Sequence, residues 1–204
     1  VPANWTCQGF RDLPVYTNVQ MPWENRPPLV PAANPTGIYR TTFTVPESWQ
    51  GRRTAIHFAG VESYYEVHLN GRQIGMAKDS RLASEFDLTD ALMPGENQLA
   101  VRVIRWSDSS YIEDQDHWWM AGIYRDVYLY STDDAYLEDI FANGDLDLQS
   151  GDGLLDIQAK LNFSVHDTGK GWPGANGPDQ DFAVAAELLD DTGASLLKLQ
   201  ETVD

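Results

Sequence analysis

The chain has one cysteine, Cys7, in 204 residues. That excludes an internal disulfide framework and a cysteine-built zinc cluster; it leaves the compartment open while slightly favouring a reducing one, and the expectation is the cytoplasm. Positive charge is scarce: 14 Lys+Arg stand against 31 Asp+Glu, a net charge of −17. Nucleic acid and anionic membrane both require a basic footprint, so neither is an expected partner. No apolar run approaches the ~20 residues that a membrane-spanning helix needs. There is no phosphate-binding loop, and a single cysteine leaves no Cys-x-x-Cys metal or redox motif. There is also no nucleophile elbow. What remains is apolar and aromatic enough, at 42% and 11%, to exclude a disordered chain.

The charge is unevenly distributed. Residues 1–131 carry 15 acidic and 11 basic residues, a net of −4, whereas 132–204 carry 16 and 3, a net of −13. Six of the seven tryptophans precede position 132, and only Trp172 follows it. This shift predicts two domains, 1–131 and 132–204.

Period-two alternation dominates both parts. Gly37–Val45, Thr54–Gly60, Asn97–Trp106 and Ile123–Tyr130 read as half-buried strands, and so do Leu154–Phe163, Phe182–Leu189 and Ala194–Leu199. Asn70-Gly71, between Ser63–Leu69 and Arg72–Met76, is the strongest hairpin signal, because both residues tolerate positive φ. The only helix-like stretch is Ser84–Leu92. The expectation is an all-β chain of two tandem sandwiches. The second has room for about five strands, fewer than the ~7 of an immunoglobulin-like sandwich, and reads as truncated.

The chemistry-bearing segment is Arg105–Asp126. It holds Asp108, Glu113, Asp114, Asp116, His117 and three tryptophans, Trp106, Trp118 and Trp119. Three acids within four residues repel one another unless a cation or a positive side chain answers them. Indole faces beside carboxylates suit sugar, whose C–H faces stack while its hydroxyls hydrogen-bond. An acidic loop packed over the end of a sandwich is the bland alternative. A glycosidase acid/nucleophile pair on this one loop is disfavoured, since acids so close in sequence rarely face each other across a substrate at the required ~5–5.5 Å. Asp145–Gly153 departs from the EF-hand pattern at three positions and reads as a hairpin turn.

Residues 1–131 resemble the N-terminal sugar-binding domain of bacterial glycoside hydrolase family 2 β-galactosidases. The resemblance is carried by Tyr16-Thr17-Asn18-Val19, Asn70-Gly71-Arg72, Asp79-Ser80-Arg81-Leu82, Arg105-Trp106-Ser107-Asp108, Glu113-Asp114-Gln115-Asp116 and Gly122-Ile123-Tyr124-Arg125-Asp126. It implies a jelly-roll (galactose-binding-like) β-sandwich followed by a partial immunoglobulin-like β-sandwich. A catalytic barrel with the acid/base and nucleophile glutamates would lie outside this chain, which would be inactive alone. Asn18 and Asp116 would reach into that barrel's site and bind the galactosyl group of a β-galactoside. Asp116 would also ligate Na⁺, shared with the barrel, and the full-length enzyme would be a homo-oligomer. Some family members also hold Mg²⁺ through an Asp matching Asp108 and a Gln where this chain has Lys78. An ammonium there cannot ligate, so that site is not carried over. Two alternatives from other classes remain: a stand-alone carbohydrate-binding module using Trp118 and Trp119 as its platform, and a structural adaptor without catalysis.

Overall fold

The computed structural model describes residues 1–18, 20–24, 26–133, 135–163 and 182–203. The chain divides into two compact units, Val1–Thr132 and Asp133–Asp204. Among the described residues it is built of strands and short 3₁₀ turns, without an α-helix. Unit 1 contains β1 (Ala3–Asn4), β2 (Val15–Tyr16), β3 (Thr36–Thr44), β4 (Arg53–Phe58), β5 (Val61–Glu62) and β6 (Tyr64–Leu69). It continues with β7 (Arg72–Lys78), β8 (Ser84–Asp87), β9 (Glu96–Ile104), β10 (Trp118–Trp119), β11 (Gly122–Ile123) and β12 (Val127–Thr132). Unit 2 contains β13 (Ala135–Leu146), β14 (Gly153–Phe163), β15 (Phe182–Leu189) and β16 (Ser195–Val203).

Unit 1 is an antiparallel sandwich. One sheet runs β3-β9-β6-β7 and the other β12-β4-β8. Alternation on β6 and β9 turns Tyr65, Val67, Leu69, Leu99, Val101 and Val103 inward, where they meet Ile56 and Phe58 of β4. Phe58, Tyr65 and Phe86 form a triangle of rings with centroids 5.1, 6.0 and 5.9 Å apart, tying the two sheets together. Each such buried side chain contributes roughly 1.5–3 kcal/mol. The β6–β7 hairpin turns on Asn70 (φ 52°) and Gly71 (φ 81°), as the Asn-Gly pair dictates. The Asn70 carboxamide adds hydrogen bonds to Ala91 O, Asn97 Oδ1 and the Gln98 amide.

Two expectations are corrected, and one unread strand is added. Ser84–Leu92 is strand β8 followed by a 3₁₀ turn, Thr89–Ala91, not a helix. Its residues alternate: Phe86 packs inward over Gly75, where a Cβ would come within 2.7 Å of the ring. Glu85 faces outward to His57 at 2.7 Å. The strand expected over Ile123–Tyr130 is broken into β11 and β12, which pair in different sheets. The break is pinned by Arg125, which donates to the carbonyls of Ala59 and Arg81. β13 went unread in the sequence because a bulge between Leu137 and Asp139 reverses the phase of its alternation.

Unit 2 consists, in its described residues, of two antiparallel hairpins, β13–β14 and β15–β16. Phe163 and Phe182 meet at 5.3 Å. Ile157, Ala159, Val184, Ala186 and Leu199 line a cavity of ≈ 340 Å³. The Asp147–Asp152 segment is a hairpin turn: Asp147 Oδ1 accepts from the amides of Gln149 and Ser150.

Candidate functional site

The loop between β9 and β11 answers most of its acids with donors from elsewhere in unit 1. Lys78 Nζ bonds both oxygens of Asp108, at 2.7 and 2.5 Å, and this contact holds the Asp108 carboxyl below the usual carboxylate range. Glu113 takes the Ser80 amide at 2.9 Å and the Ser80 hydroxyl at 2.6 Å. Asp116 Oδ1 accepts the Tyr16 hydroxyl at 2.5 Å, and the carboxylate pushes the Tyr16 phenol pKa up. Asp114 keeps one buried oxygen, Oδ1, without a hydrogen-bond partner.

The Tyr16–Asp116 bond joins residues 100 positions apart, and β2 and β10 are what make it possible. These two-residue strands pair Tyr16 with Trp118 and Val15 with Trp119. Successive strand residues face opposite sides, so the two tryptophans separate. Trp119 turns in, is 2% exposed and donates its indole N–H to Thr17 Oγ1 at 2.8 Å. Trp118 turns out, is 54% exposed and packs against the Tyr16 ring at 5.6 Å. A platform built from both indoles, as in the binding-module alternative, is therefore not formed, because only Trp118 offers a face to solvent. Asn18 lies two residues beyond Tyr16 on the same segment and is exposed, as is Asp116. Both candidate binding residues thus sit on segments joined by one ladder, although no hydrogen bond connects their side chains.

Beneath this surface the loop is anchored by buried polar contacts. Arg105, 3% exposed, ion-pairs with Asp12 and donates to the carbonyls of Leu13 and Trp119, both at 3.1 Å. Its guanidinium lies 4.6 Å from the Trp106 ring. Trp106 in turn contacts Trp119 at 5.5 Å and Trp23 at 4.7 Å. Arg81 donates to His117 Nε2 at 2.9 Å, which leaves the His117 proton on Nδ1, facing the Trp118 carbonyl at 3.1 Å. Arg81 also lies 3.6 Å from Glu62. Glu62 is buried, and desolvation outweighs the pull of Arg81, pushing its carboxyl up to about 7.

Among the described residues no group of three or more His, Cys, Asp and Glu is arranged to hold a metal ion. Asp108 does not fit a divalent cation, since the Lys78 ammonium occupies both of its oxygens. Asp116 fits the role of a single ligand to a monovalent cation: it is exposed, one oxygen is held by Tyr16 and the other accepts no hydrogen bond among the described residues. The sequence reading passed over Tyr16, Arg81 and Glu62. Tyr16 had a signal, its place in the Tyr-Thr-Asn-Val motif. Arg81 likewise had its place in the Asp-Ser-Arg-Leu motif, whereas Glu62 had no signal, because its role arises only where β5, the residues after β7 and the loop converge.

Residues 1–133 match the family described as glycosyl hydrolases family 2, sugar binding domain. A β-galactosidase of Photobacterium profundum is 52% identical over 162 residues, and one of Psychromonas ingrahamii is 47% identical over 162 residues. Each alignment covers 79% of this chain and 16% of the relative, so the chain spans about one-sixth of the relatives' length. Among solved structures, a β-glycosidase from Bacteroides vulgatus superposes with a TM-score of 0.70 at 22% identity, covering 100% of this chain and 23% of that one. A β-glucuronidase of Bifidobacterium dentium gives 0.63 at 23% identity, covering 82% and 31%. These structural likenesses speak for the fold, and the sequence matches speak for the lineage. A sandwich whose acidic, tryptophan-bearing loop is stapled to a Tyr-Thr-Asn segment, matched over 1–133 by that sugar-binding description, belongs to glycosyl hydrolase family 2.

Proposed function

We propose that this chain is the front of a retaining β-galactosidase that hydrolyses terminal non-reducing β-D-galactose residues. In this reading it supplies substrate- and cation-binding residues to a catalytic barrel outside the chain. The identity of 47–52% to proteins named β-galactosidase supports the galactoside as substrate class. The observation that carries the site is the exposed Asp116 carboxylate, fixed on one oxygen by Tyr16 and open on the other, beside the solvent-facing Trp118.

Each residue has a role its chemistry allows. The open oxygen of Asp116 accepts a sugar hydroxyl and serves as one ligand to Na⁺, the remaining ligands coming from the barrel. A bound cation supplies a fixed positive charge that orients a further hydroxyl. The Asn18 carboxamide donates and accepts, matching a hydroxyl that does both. None of these groups breaks the glycosidic bond; they position the sugar against glutamates carried by the barrel. The chain alone is then inactive as a hydrolase, and the whole enzyme works in the cytoplasm as a homo-oligomer. Asp108 and Lys78 satisfy each other, so Mg²⁺ in the full-length enzyme would take its ligands elsewhere.

The test is Asp116→Ala in the full-length enzyme. KM for a β-galactoside should rise by roughly tenfold or more, the loss of a charge-assisted hydrogen bond, and the response to Na⁺ should weaken. Unchanged kinetics and an unchanged cation response would refute the assignment. Galactose-dependent tryptophan fluorescence in the isolated chain would favour the binding-module reading, for which the exposure of Trp118 is the specific support.

A further inference from the structure

We infer that Tyr16 is the positioning residue for Asp116, fixing one carboxylate oxygen so that the other is presented to the sugar and its cation. The inference rests on the function proposed above and adds to it a residue that the sequence reading did not select.

A carboxylate on an exposed loop samples several rotamers, and ordering it costs conformational entropy each time a ligand binds. In this molecule that ordering is done beforehand. The Tyr16 hydroxyl lies 2.5 Å from Asp116 Oδ1. The phenol itself is not free to follow a wandering carboxylate: its backbone is paired to Trp118 in the β2–β10 ladder, and its ring lies 5.6 Å from the Trp118 indole at a 48° tilt. A phenol donates only one hydrogen bond, so it occupies one oxygen and leaves the second. Asn18 follows two residues beyond Tyr16 on the same segment, just outside the ladder.

The scaffold of the loop does not depend on this bond. Trp119 is tied to Thr17 at 2.8 Å, and Arg105 bridges the carbonyls of Leu13 and Trp119 at 3.1 Å each. Removing the phenolic oxygen alone therefore loosens Asp116 while leaving the two segments together. Tyr16→Phe keeps the ring contact with Trp118 and deletes only the donor.

The experiment uses the full-length enzyme with four variants: Tyr16→Phe, Asp116→Ala, the double variant, and Thr17→Val. The last removes the neighbouring side-chain hydrogen bond between Trp119 and Thr17 without touching Asp116. Two readouts are taken across a sodium series. One is KM and kcat for a β-galactoside; the other is the calorimetric Kd of a non-hydrolysable thio-β-galactoside, which requires no turnover. Tyr16→Phe should raise Kd and KM by roughly tenfold, with a smaller change in kcat, and should raise the sodium concentration needed for half-maximal binding. The double variant should bind no worse than Asp116→Ala, because the phenol acts through that carboxylate. Thr17→Val should leave the sodium midpoint where it is.

If Asp116→Ala shifts Kd and the sodium response while Tyr16→Phe shifts neither, the positioning role is wrong and the binding role of Asp116 stands. If Thr17→Val reproduces the Tyr16→Phe effect, the cause is loop integrity and the inference is overturned. If Asp116→Ala itself changes nothing, the underlying reading of the site fails and this inference falls with it.

Discussion

The two units of this chain are written in the same two-residue alternation, yet among the described residues only unit 1 buries it. In unit 1 the inward residues of β4, β6 and β9 close against one another, and Ile56, Phe58, Val67, Leu69 and Val103 are at most 1% exposed. Among the described residues of unit 2 none is buried. Leu155, Ile157 and Ala159 share one face of β14, as the period requires, but Leu155 remains 44% exposed and Ile157 37%. Alternation therefore specifies that a face exists, not what covers it. A second layer is needed, and a two-stranded ladder by itself is at best marginal in water. The polar residues divide in the same way. Unit 1 gives Arg105, Asn97 and Ser107 hydrogen-bond partners in its interior, whereas none of the described carboxylates of unit 2 is buried, within a stretch of net charge −13.

The sharpest way to break this contrast is to cut one inward side chain from each unit. Phe58→Ala empties a site walled by Tyr65 and Phe86 and should lower the stability of unit 1 by ~3–5 kcal/mol. Ile157→Ala, on a face still open to solvent, should cost less than ~1 kcal/mol, because much of the transfer free energy was never gained. Denaturant titrations of the two variants, followed by tryptophan fluorescence and far-ultraviolet circular dichroism, measure the difference. Equal losses would mean that the unit 2 face is covered as fully as the sandwich core.

The next effect is smaller and concerns buried against solvated acid. Glu62 is held near pKa 7 by burial, well above the ordinary carboxylate value of 4.5. The folded state therefore retains a proton that the unfolded state has released, and stability falls as pH rises from about 4.5 through about 7. Glu62→Gln keeps an acceptor for the Met120 amide and carries no titrating proton. At pH 8 it should gain on the order of 2–3 kcal/mol over the parent, and at pH 4 the two should be alike. Thermal unfolding at the two pH values decides it. A gain that persists at pH 4 would show that the carboxylate is costly for reasons other than its charge.

What could be read beforehand follows from where the information resides. The Asn70-Gly71 hairpin, β9 and β15 are local, each carried by a turn pair or an unbroken alternation. β13 escaped because its bulge moves the apolar phase midway, and β8 was misread because four alternating residues before a 3₁₀ turn look helical until Phe86 is seen to need Gly75 opposite it. In the site, Asn18 and Asp116 emerged from the motifs of the family resemblance. The partner that ties their segments together, Tyr16, makes its bond to Asp116 across 100 positions through the β2–β10 ladder, which no local pattern encodes. The same holds for the Glu62–Arg81–His117 chain under the loop. The opposite fates of adjacent Trp118 and Trp119 also required knowing that β10 is a strand.

The smallest expected effect lies at a turn of unit 2 and tests whether its polar hubs are as independent as the exposed faces suggest. Asp190 Oδ1 accepts from the Thr192 hydroxyl at 2.6 Å, the Ala194 amide at 2.8 Å and the Thr192 amide at 2.9 Å. These donors, the Thr192 hydroxyl foremost, hold its carboxyl below the usual range. A depressed carboxylate stabilises above its unfolded pKa and loses that contribution as pH falls through the folded value. Asp190→Ala should therefore speed hydrogen exchange at Ala194 near neutral pH, and the parent should approach the variant's behaviour in acid. The unfolding midpoint should stay put, since the bonds serve one hairpin and brace nothing else. The counterpart in unit 1, Asn97, bonds Met93 N and O, Gly95 O and Asn70 Nδ2 while fully buried, and its loss should propagate into the sandwich. If Asp190→Ala moved the midpoint as far as Asn97→Ala, the β15–β16 hairpin would be cooperative with a packed core, and the distinction between the two units would dissolve.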